Sequence, residues 1–319
     1  MSQHPPSWTF LRGLIITVPW LLYLLLVDVW ISMLLPLAIF LPRWVYDASS
    51  CLAFTVWAWI QLIFESLNGA RIEISGDSLP NAESAIVVAN HVAWSDFYLI
   101  QAMARRSGML GYCRYFAKSQ LRAVPFLGWG LWAMGMPMVS RNWVKDQAEL
   151  DRVFSGIVNH RFPTFSTPTT VSSNIRRAGL ISFSEATRFT HKKFAESQVW
   201  CKKTDRPQPK NLLYPRTKGF IATVQHLRKA PHVKAVYDFA IAYQCDGVFL
   251  DAPCMWDTLS VPSLSTRHQY KFHVHARRFS LETLPESDED LAQWLEQRWV
   301  EKGEWLESLK QTWATTGSS

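Results

Sequence analysis

Two residues five positions apart, His91 and Asp96, carry the chemistry that this sequence offers most clearly. They follow a short apolar run, residues 85–90, that predicts a β-strand. Residues five apart on one helix are turned by roughly 140°, so the pair requires a loop entering a helix, with His91 on the loop and Asp96 in the first turn. The carboxylate then holds one imidazole tautomer and favours the imidazolium formed when the other nitrogen takes a proton. The pattern predicts a general base; alone, it also fits a satisfied loop histidine and a helix-capping aspartate.

Short apolar and periodic runs indicate the elements that would position this pair. The predicted strands are residues 71–75, 85–90, 112–117, 136–140, 180–183 and 233–243, and the predicted helices are residues 96–106, 144–160 and 217–228. Residues 270–279 alternate between polar and apolar types, which predicts a strand toward an edge of the sheet. Strands that alternate with helices predict an α/β fold with a sheet covered by helices. No G-x-S-x-G sequence is present, so a serine hydrolase elbow is not supported.

The first 70 residues have the composition of membrane-anchoring helices. In residues 13–42 the single charged side chain is Asp28, and residues 48–64 have none. About 20 apolar residues span a bilayer core, so the first run fits either one long tilted helix or a shallow hairpin, and the second is at the short limit for a span. A cleaved signal peptide is disfavoured because no small-residue cleavage site follows. Arg12 and Arg43 flank the first run symmetrically and leave the topology open.

The net charge of +7 conceals a strong segregation along the chain. Residues 101–234 carry 23 basic and 6 acidic side chains, whereas residues 235–319 carry 7 and 13. The basic block attracts anions, whether nucleic acid, a membrane headgroup or a phosphorylated substrate, and charge alone does not choose among them. Five widely spaced cysteines without a CxxC pair indicate neither a disulfide framework nor a zinc ribbon. His273 and His275 would share one strand face but have no third ligand, so no metal is expected.

Composition also predicts how the chain is divided. Residues 1–70 form the anchoring helices, residues 71–285 the α/β domain, and residues 286–319 a C-terminal amphipathic helix and tail. A Ser/Thr/Pro-rich segment, residues 163–174, predicts an inserted loop near residues 161–178. The last helix is expected to pack on the domain, because anionic lipid would repel its largely acidic polar face. Residues 121–139 are apolar but interrupted by Gly and Pro, which favours a core or interfacial wall over a third span.

Four blocks of sequence resemble the glycerolipid acyltransferases and follow the order of that family's motifs. Residues 90–96, NHVAWSD, resemble its NHX4D motif, and residues 135–141, GMPMVSR, resemble the second motif, which ends in a phosphate-binding arginine. Residues 183–188, FSEATR, resemble the FPEGTR motif. LYPRTKGF from residue 213 and VYDFAIAY from residue 236 are similar to the eukaryotic branch that acylates lysophosphatidic acid, lysophosphatidylinositol or lysocardiolipin.

This resemblance implies an acyl-CoA-dependent lysophospholipid acyltransferase in the membrane of the endoplasmic reticulum, with its active site at the cytosolic face. His91 would deprotonate the lysolipid hydroxyl, and Asp96 would orient His91. The implied partners are acyl-CoA as co-substrate, a lysophospholipid (lysophosphatidylinositol or lysophosphatidic acid first) and the bilayer, with no cofactor and no nucleic acid. The residues implied to bind the lysolipid phosphate are Arg141, Glu185, Arg188 and, more weakly, Lys118.

Two positions depart from the family's third motif. Ser184 stands where Pro is usual, and Ala186 where Gly is usual; if that Gly serves a positive φ, Ala186 costs on the order of 1 kcal/mol. Glu185 is retained and would hold Arg188 or bond the polar headgroup. Two alternatives stay open: a thioesterase or phospholipid hydrolase, in which water replaces the lipid hydroxyl, and a catalytically silent lipid-binding membrane protein, which the two departures motivate.

Overall fold

The computed structural model describes residues 6–140, 143–158 and 177–316. The helices of this part of the chain are α1 (Pro6–Leu34), α2 (Pro42–Leu62), α3 (Asp96–Arg106), α4 (Leu127–Ala133), α5 (Trp143–Val158), α6 (His191–Lys203), α7 (Thr217–Leu227), α8 (Met255–Ser260) and α9 (Asp288–Thr316). The strands are β1 (Ile72–Gly76), β2 (Ser84–Ala89), β3 (Cys113–Tyr115), β4 (Ala117–Lys118), β5 (Met138–Val139), β6 (Gly179–Phe183), β7 (Val233–Cys245), β8 (Val248–Phe249) and β9 (Lys271–Ser280). The inserted loop predicted near residues 161–178 lies almost entirely outside the described residues.

The main sheet of the described chain is mixed, with the strand order β1-β9-β7-β2-β6-β3 and β8 paired to β7. β2 is parallel to β6 and β7, and β3 is parallel to β6. All six residues of β2 are buried, because this central strand has helices on both of its faces. The carboxyl ends of β2, β6 and β7 therefore meet at one edge of the sheet, where loops can bring side chains together.

Two hydrophobic clusters cover opposite faces of this sheet. Val87 belongs to the cluster that includes residues of α1, α2 and α3, whereas its neighbour Val88 belongs to the cluster that includes residues of α5, α7 and α9. This division follows the alternation of side chains along a strand. The predicted α/β fold, a sheet covered by helices, is confirmed.

β9 lies inside the sheet between β1 and β7, so its predicted position toward an edge is wrong. Its alternating polar residues face α9 instead of open water. The His275 ring stacks on Trp305 with a centroid separation of 4.6 Å, and Arg277 donates to Glu301 over 2.6 Å. The alternating polar residues of β9 therefore lie on a face of the strand that the charged helix α9 covers. The strand at this edge of the sheet is β1.

The C-terminal helix α9 packs on the domain, as its acidic polar face predicted. Its apolar face enters the second hydrophobic cluster through Leu291, Leu295 and Leu306. Its acidic residues meet a basic segment between α6 and α7: Lys210 lies 2.9 Å from Glu304. The opposite charges of the middle and the end of the chain are thus partly matched within the fold.

Helix α1 lies along the domain, with one narrow stripe buried. The buried positions lie on one face of the helix: Gly13, Thr17, Trp20, Val27, Asp28 and Ile31. The opposite face is apolar and exposed, and includes Leu14, Ile15, Val18, Leu22, Leu25 and Met33. Trp8–Ile39 and Pro42–Leu67 are each long and apolar enough to cross a membrane, and only 28% of an 18-residue apolar window in the first is buried in the protein. An exposed apolar face of this kind is stable in the apolar interior of a membrane, and it indicates membrane association.

Helix α1 contacts the rest of the protein at successive points along its length. The Arg12 guanidinium donates to the main-chain oxygen of Ser260 over 2.7 Å. The Trp20 indole donates to the main-chain oxygen of Val56 in α2. Farther along, Gly130 of α4 approaches so closely that a Cβ there would lie 2.9 Å from Asp28 Oδ1. The helix and the domain are therefore in contact along most of the length of α1.

Candidate active site

The loop after β2 is held to the sheet by the side chain of Asn90. Its amide nitrogen donates to the main-chain oxygen of Ile241 over 3.0 Å, and its amide oxygen accepts from the Ile241 N–H over 2.8 Å. The side chain thus replaces one more rung of the β2–β7 ladder. The main chain can leave the sheet at the next residue, His91, from a fixed starting point.

The structure brings His91 and Asp96 together in the predicted way. Asp96 is the first residue of α3, and its Oδ2 lies 2.7 Å from His91 Nδ1. The same oxygen accepts from the N–H groups of Val92 (2.7 Å) and Ala93 (3.2 Å), so the loop wraps around the carboxylate. With Nδ1 facing Asp96, the other ring nitrogen, Nε2, is assigned as the proton acceptor. The Asp96 side chain is fully buried while 15% of the His91 side chain is exposed, which leaves the base accessible.

Two further residues position this pair, and the sequence had not singled out either. The Tyr243 hydroxyl donates to Asp96 Oδ1 over 2.8 Å from the carboxyl part of β7. Phe183 stacks on the His91 ring with a centroid separation of 4.1 Å and an angle of 19° between planes. Both residues stand in blocks that the sequence had marked, at the end of VYDFAIAY and the start of FSEATR, but the contacts join residues far apart in the chain.

Glu185 lies inside the fold and binds main-chain donors of the site. Its Oε2 accepts the His91 N–H, and its Oε1 accepts the Leu213 N–H, each over 3.2 Å. The Trp299 indole of α9 also donates to Oε1, over 3.4 Å. Burial raises the pKa of Glu185 to about 8, against the opposing effects of these donors and of Lys302. Only 3% of Glu185 is exposed, and its described hydrogen bonds go to the N–H groups of the His91 loop, Leu213 and Trp299 instead of Arg188. Its expected contact with a lipid headgroup stays a prediction.

Ala186 occupies the conformation for which the family's glycine would be suited. Its φ is +57°, in the left-handed region, so the strain expected from an Ala at this position is present. Neighbouring main-chain bonds hold the turn in place. The Ser184 oxygen accepts from the Arg216 N–H over 2.6 Å, and the Phe189 N–H donates to the His91 oxygen over 2.7 Å. The third block is therefore fastened directly to the loop that carries His91.

The basic residues expected to bind phosphate are placed on the surface where they are described. Arg188 is exposed just after the turn that contains Ala186, and Lys118 is exposed at the end of β4. β4 pairs with β5, which sets Lys118 opposite Val139. Arg141 lies outside the described residues, so its phosphate-binding role stays a prediction. Arg188 stays near the His91 loop because the main-chain N–H of the next residue, Phe189, donates to the His91 oxygen. None of the described contacts links Arg188 to Lys118.

No group of three or more His, Cys, Asp or Glu side chains that could hold a metal ion is found in the described ranges. His273 and His275 both contact the Ser75 hydroxyl, at 2.7 Å and 2.9 Å.

The amino-acid sequence matches two acyltransferase families and several curated enzymes. The family described as Acyltransferase matches residues 71–243, more than half of the chain, and the family described as Acyltransferase C-terminus matches residues 263–317. A 1-acyl-sn-glycerol-3-phosphate acyltransferase 2 from Brassica oleracea is 30% identical over 254 residues, which is 78% of this chain and 59% of the relative. Lysocardiolipin acyltransferase 1 from Mus musculus is 27% identical over 281 residues, 87% of this chain and 68% of the relative. The chain belongs to the glycerolipid acyltransferase family.

A solved structure has a fold similar to that of this chain. The crystal structure of the 1-acyl-sn-glycerophosphate acyltransferase PlsC from Thermotoga maritima aligns with a TM-score of 0.50 at 14% identity. The alignment covers 94% of this chain and 98% of the bacterial protein. The chain spans 59% of the length of the plant relatives it matches, and at 14% identity the bacterial likeness concerns the fold alone.

Proposed function

We propose that this protein transfers a fatty acyl group from acyl-CoA to a free hydroxyl of a lysophospholipid. The observation that carries the proposal is the 2.7 Å contact between His91 Nδ1 and the buried carboxylate of Asp96, beside an accessible imidazole. Such a pair is suited to removing a proton from an alcohol. The names of the plant and mouse relatives, which describe acylation of 1-acyl-sn-glycerol-3-phosphate and lysocardiolipin, support a lysolipid as the acceptor.

The reaction needs no covalent acyl-enzyme. His91 Nε2 accepts the proton of the lysolipid hydroxyl while Asp96 stabilises the imidazolium that forms. The resulting alkoxide attacks the thioester carbonyl, a C–O bond forms, and the C–S bond breaks as the tetrahedral intermediate collapses. The imidazolium then returns its proton to the departing CoA thiolate. The products are a diacyl phospholipid and free CoA thiol, and His91 is neutral again.

Exposed cations near the site fit the phosphate of the lysolipid. Arg188 follows the turn that is bonded to the His91 loop, and its planar guanidinium can make paired, charge-assisted bonds to phosphate oxygens. Lys118 and Arg141 complete the proposed set. Lysophosphatidic acid and lysophosphatidylinositol are the acceptors proposed first, because both carry the phosphate these cations would bind.

The exposed apolar faces of α1 and α2 would attach the protein to the bilayer. Both substrates concentrate at the surface of that bilayer. Acyl-CoA and lysophospholipids are amphipathic, so an enzyme attached to a leaflet meets them where they partition. We propose the endoplasmic reticulum as the location and the cytosolic leaflet as the side of the active site. This orientation gives the thioester's soluble nucleotide portion direct access from the cytosol.

The decisive experiment compares the protein with His91→Ala in vesicles supplied with labelled acyl-CoA and a panel of lysolipids. Transfer predicts labelled diacyl phospholipid in equal amount to released CoA, and loss of both in His91→Ala by a factor of about 100 or more. His226→Ala is the matched control, because His226 lies on α7 and is half exposed. Labelled free fatty acid in place of phospholipid would establish a thioesterase. Unchanged turnover in His91→Ala would refute the proposed base.

A further inference from the structure

A lysine ammonium is buried behind the candidate active site. Lys302 of α9 is 1% exposed, and its Nζ lies 2.5 Å from Asp238 Oδ1 and 3.8 Å above the ring of Trp299. Burial lowers the pKa of Lys302, and the neighbouring carboxylates of Asp238 and Glu185 oppose that change. Because removing an ammonium from water costs several kcal/mol, the surrounding anions must compensate for it.

Asp238 has a second cationic partner besides Lys302. The guanidinium of Arg277 lies 2.6 Å from Asp238 Oδ2, and its other terminal nitrogen lies 2.6 Å from Glu301. Asp238 thus has a cation on each oxygen, whereas the second anion that Lys302 acts upon, Glu185, has neutral N–H donors as its hydrogen-bond partners. Lys302 is therefore placed to balance two buried carboxylates, one of which belongs to the active site.

The hydrogen bonds around Glu185 favour its ionised form over its protonated form. Its described partners are the N–H groups of His91, Leu213 and Trp299, all of which donate. A protonated carboxyl group would place a fourth donor among them with no described acceptor. Trp299 and Lys302 stand three residues apart on α9 and so lie on the same face of the helix, one donating to Glu185 and the other supplying charge.

We propose that Lys302 is a positioning residue for the reaction: its buried ammonium favours the ionised form of Glu185, and the Glu185 carboxylate in turn holds the main chain of His91. This inference rests on the proposed function, since it assigns to α9 a part in orienting the proposed base. Lys302 touches no reacting atom. Its effect passes through one carboxylate and one main-chain N–H to the imidazole that takes the proton.

The proposal has a consequence for the pH dependence of activity. The charged and titratable groups that face Glu185 are His91 from the loop after β2, Lys302 from α9 and, beyond Lys302, Asp238 and Arg277 of β7 and β9. Loss of the Lys302 charge disfavours the ionised carboxylate, so the pKa of Glu185 rises further. The acidic limb of kcat then moves to higher pH, and kcat near neutral pH falls.

The test measures kcat and KM from pH 6 to 10 for the full chain and five variants in vesicles, one of which is Glu185→Gln alone. Lys302→Met is expected to move the acidic limb upward by about one pH unit and to lower kcat at pH 7 about tenfold, with little change in KM. Trp299→Phe, which removes one donor and no charge, is expected to give a smaller shift in the same direction. Arg277→Met removes the other cation of Asp238 and serves as the matched control: it lowers the melting temperature and leaves the limb in place.

The fourth variant combines Glu185→Gln with Lys302→Met and separates the two routes by which a charge can act. If Lys302 works through Glu185, adding Lys302→Met to Glu185→Gln moves the limb no further. The inference is overturned if Lys302→Met moves the acidic limb of kcat by its full shift in the Glu185→Gln background. It is also overturned if this limb lies at the same pH in Lys302→Met and Arg277→Met. Those results leave the proposed function intact, because that function is tested separately, by the activity of His91→Ala and by the product that carries the labelled acyl chain. Should Lys302→Met fail to fold, Trp299→Phe and Glu185→Gln decide by the same shifts.

Discussion

The substitution Asp96→Asn isolates the charge of the acidic partner from its geometry. An asparagine can place its amide oxygen where Oδ2 lies, so it keeps the bonds from His91 Nδ1 and from the N–H groups of Val92 and Ala93. Its amide nitrogen then faces the Tyr243 hydroxyl, which can rotate to accept. The loop and the imidazole tautomer are expected to persist, and only the negative charge is lost.

The size of the effect follows from that lost charge. Two unit charges about 4 Å apart interact by about 4 kcal/mol at an effective dielectric constant of 20, and this attraction is realised only when His91 becomes an imidazolium. Since each 1.36 kcal/mol is tenfold in rate, kcat should fall about 100- to 1,000-fold while KM changes little. Tyr243→Phe, which removes one neutral donor from Asp96, should lower kcat less than tenfold.

The assay follows labelled acyl chains into phospholipid, because the exposed thiols of Cys51 and Cys254 would consume a thiol-reactive reagent for released CoA. Thermal unfolding checks that Asp96→Asn keeps its fold. Asp96→Ala is the contrasting variant: it leaves the N–H groups of Val92 and Ala93 without their acceptor, and the free energy of unfolding should fall by about 1–3 kcal/mol for each. A kcat for Asp96→Asn within threefold of the unaltered protein, in a folded sample, would refute the base mechanism.

Three further substitutions test separate parts of the structure. Arg188→Ala should raise KM for lysophosphatidic acid about tenfold with a smaller change in kcat, and an equal loss for every acyl donor at saturating lysolipid would contradict a phosphate contact. Ala186→Gly should raise the free energy of unfolding by about 1 kcal/mol, because φ is +57° there; a lower melting temperature would show that the Cβ contributes more than the strain costs. Gly130→Val should destabilise the protein by about 1–3 kcal/mol, since a Cβ at this position already lies 2.9 Å from Asp28 Oδ1, and calorimetry in vesicles measures the loss.

The local sequence pattern predicted the helix and the strand next to the site well. The helix predicted over residues 96–106 is α3, and the strand predicted over residues 85–90 is β2 within one residue at each end. The reach of Asp96 back to His91 was predictable locally, because a continuous helix would turn residues five apart away from each other, which requires a loop before α3. The short polar helix α6 was missed, since its sequence carries few apolar positions.

Long-range partners were beyond what the sequence alone could give. Tyr243 lies 147 residues from Asp96, and Glu185 lies 94 residues from His91, so their contacts depend on the strand order of the sheet. The bond from the His91 N–H to Glu185 could not be predicted for the same reason: it exists because β6 ends beside β2 and places Glu185 under the loop that follows β2. The misplacement of β9 likewise arose because no local pattern tells a face covered by a charged helix from one covered by water.

The attachment of α1 along the domain has a mechanical consequence for the enzyme in its membrane. A lone anchor on a flexible tether can tilt to match a thicker or thinner bilayer while the domain it carries keeps its own orientation. Here Arg12, Trp20 and Asp28 contact the rest of the protein at successive points, so any tilt of the anchor rotates the whole molecule. The height of His91 relative to the lipid phosphates is therefore coupled to bilayer thickness, and turnover should vary with the acyl length of the host lipids.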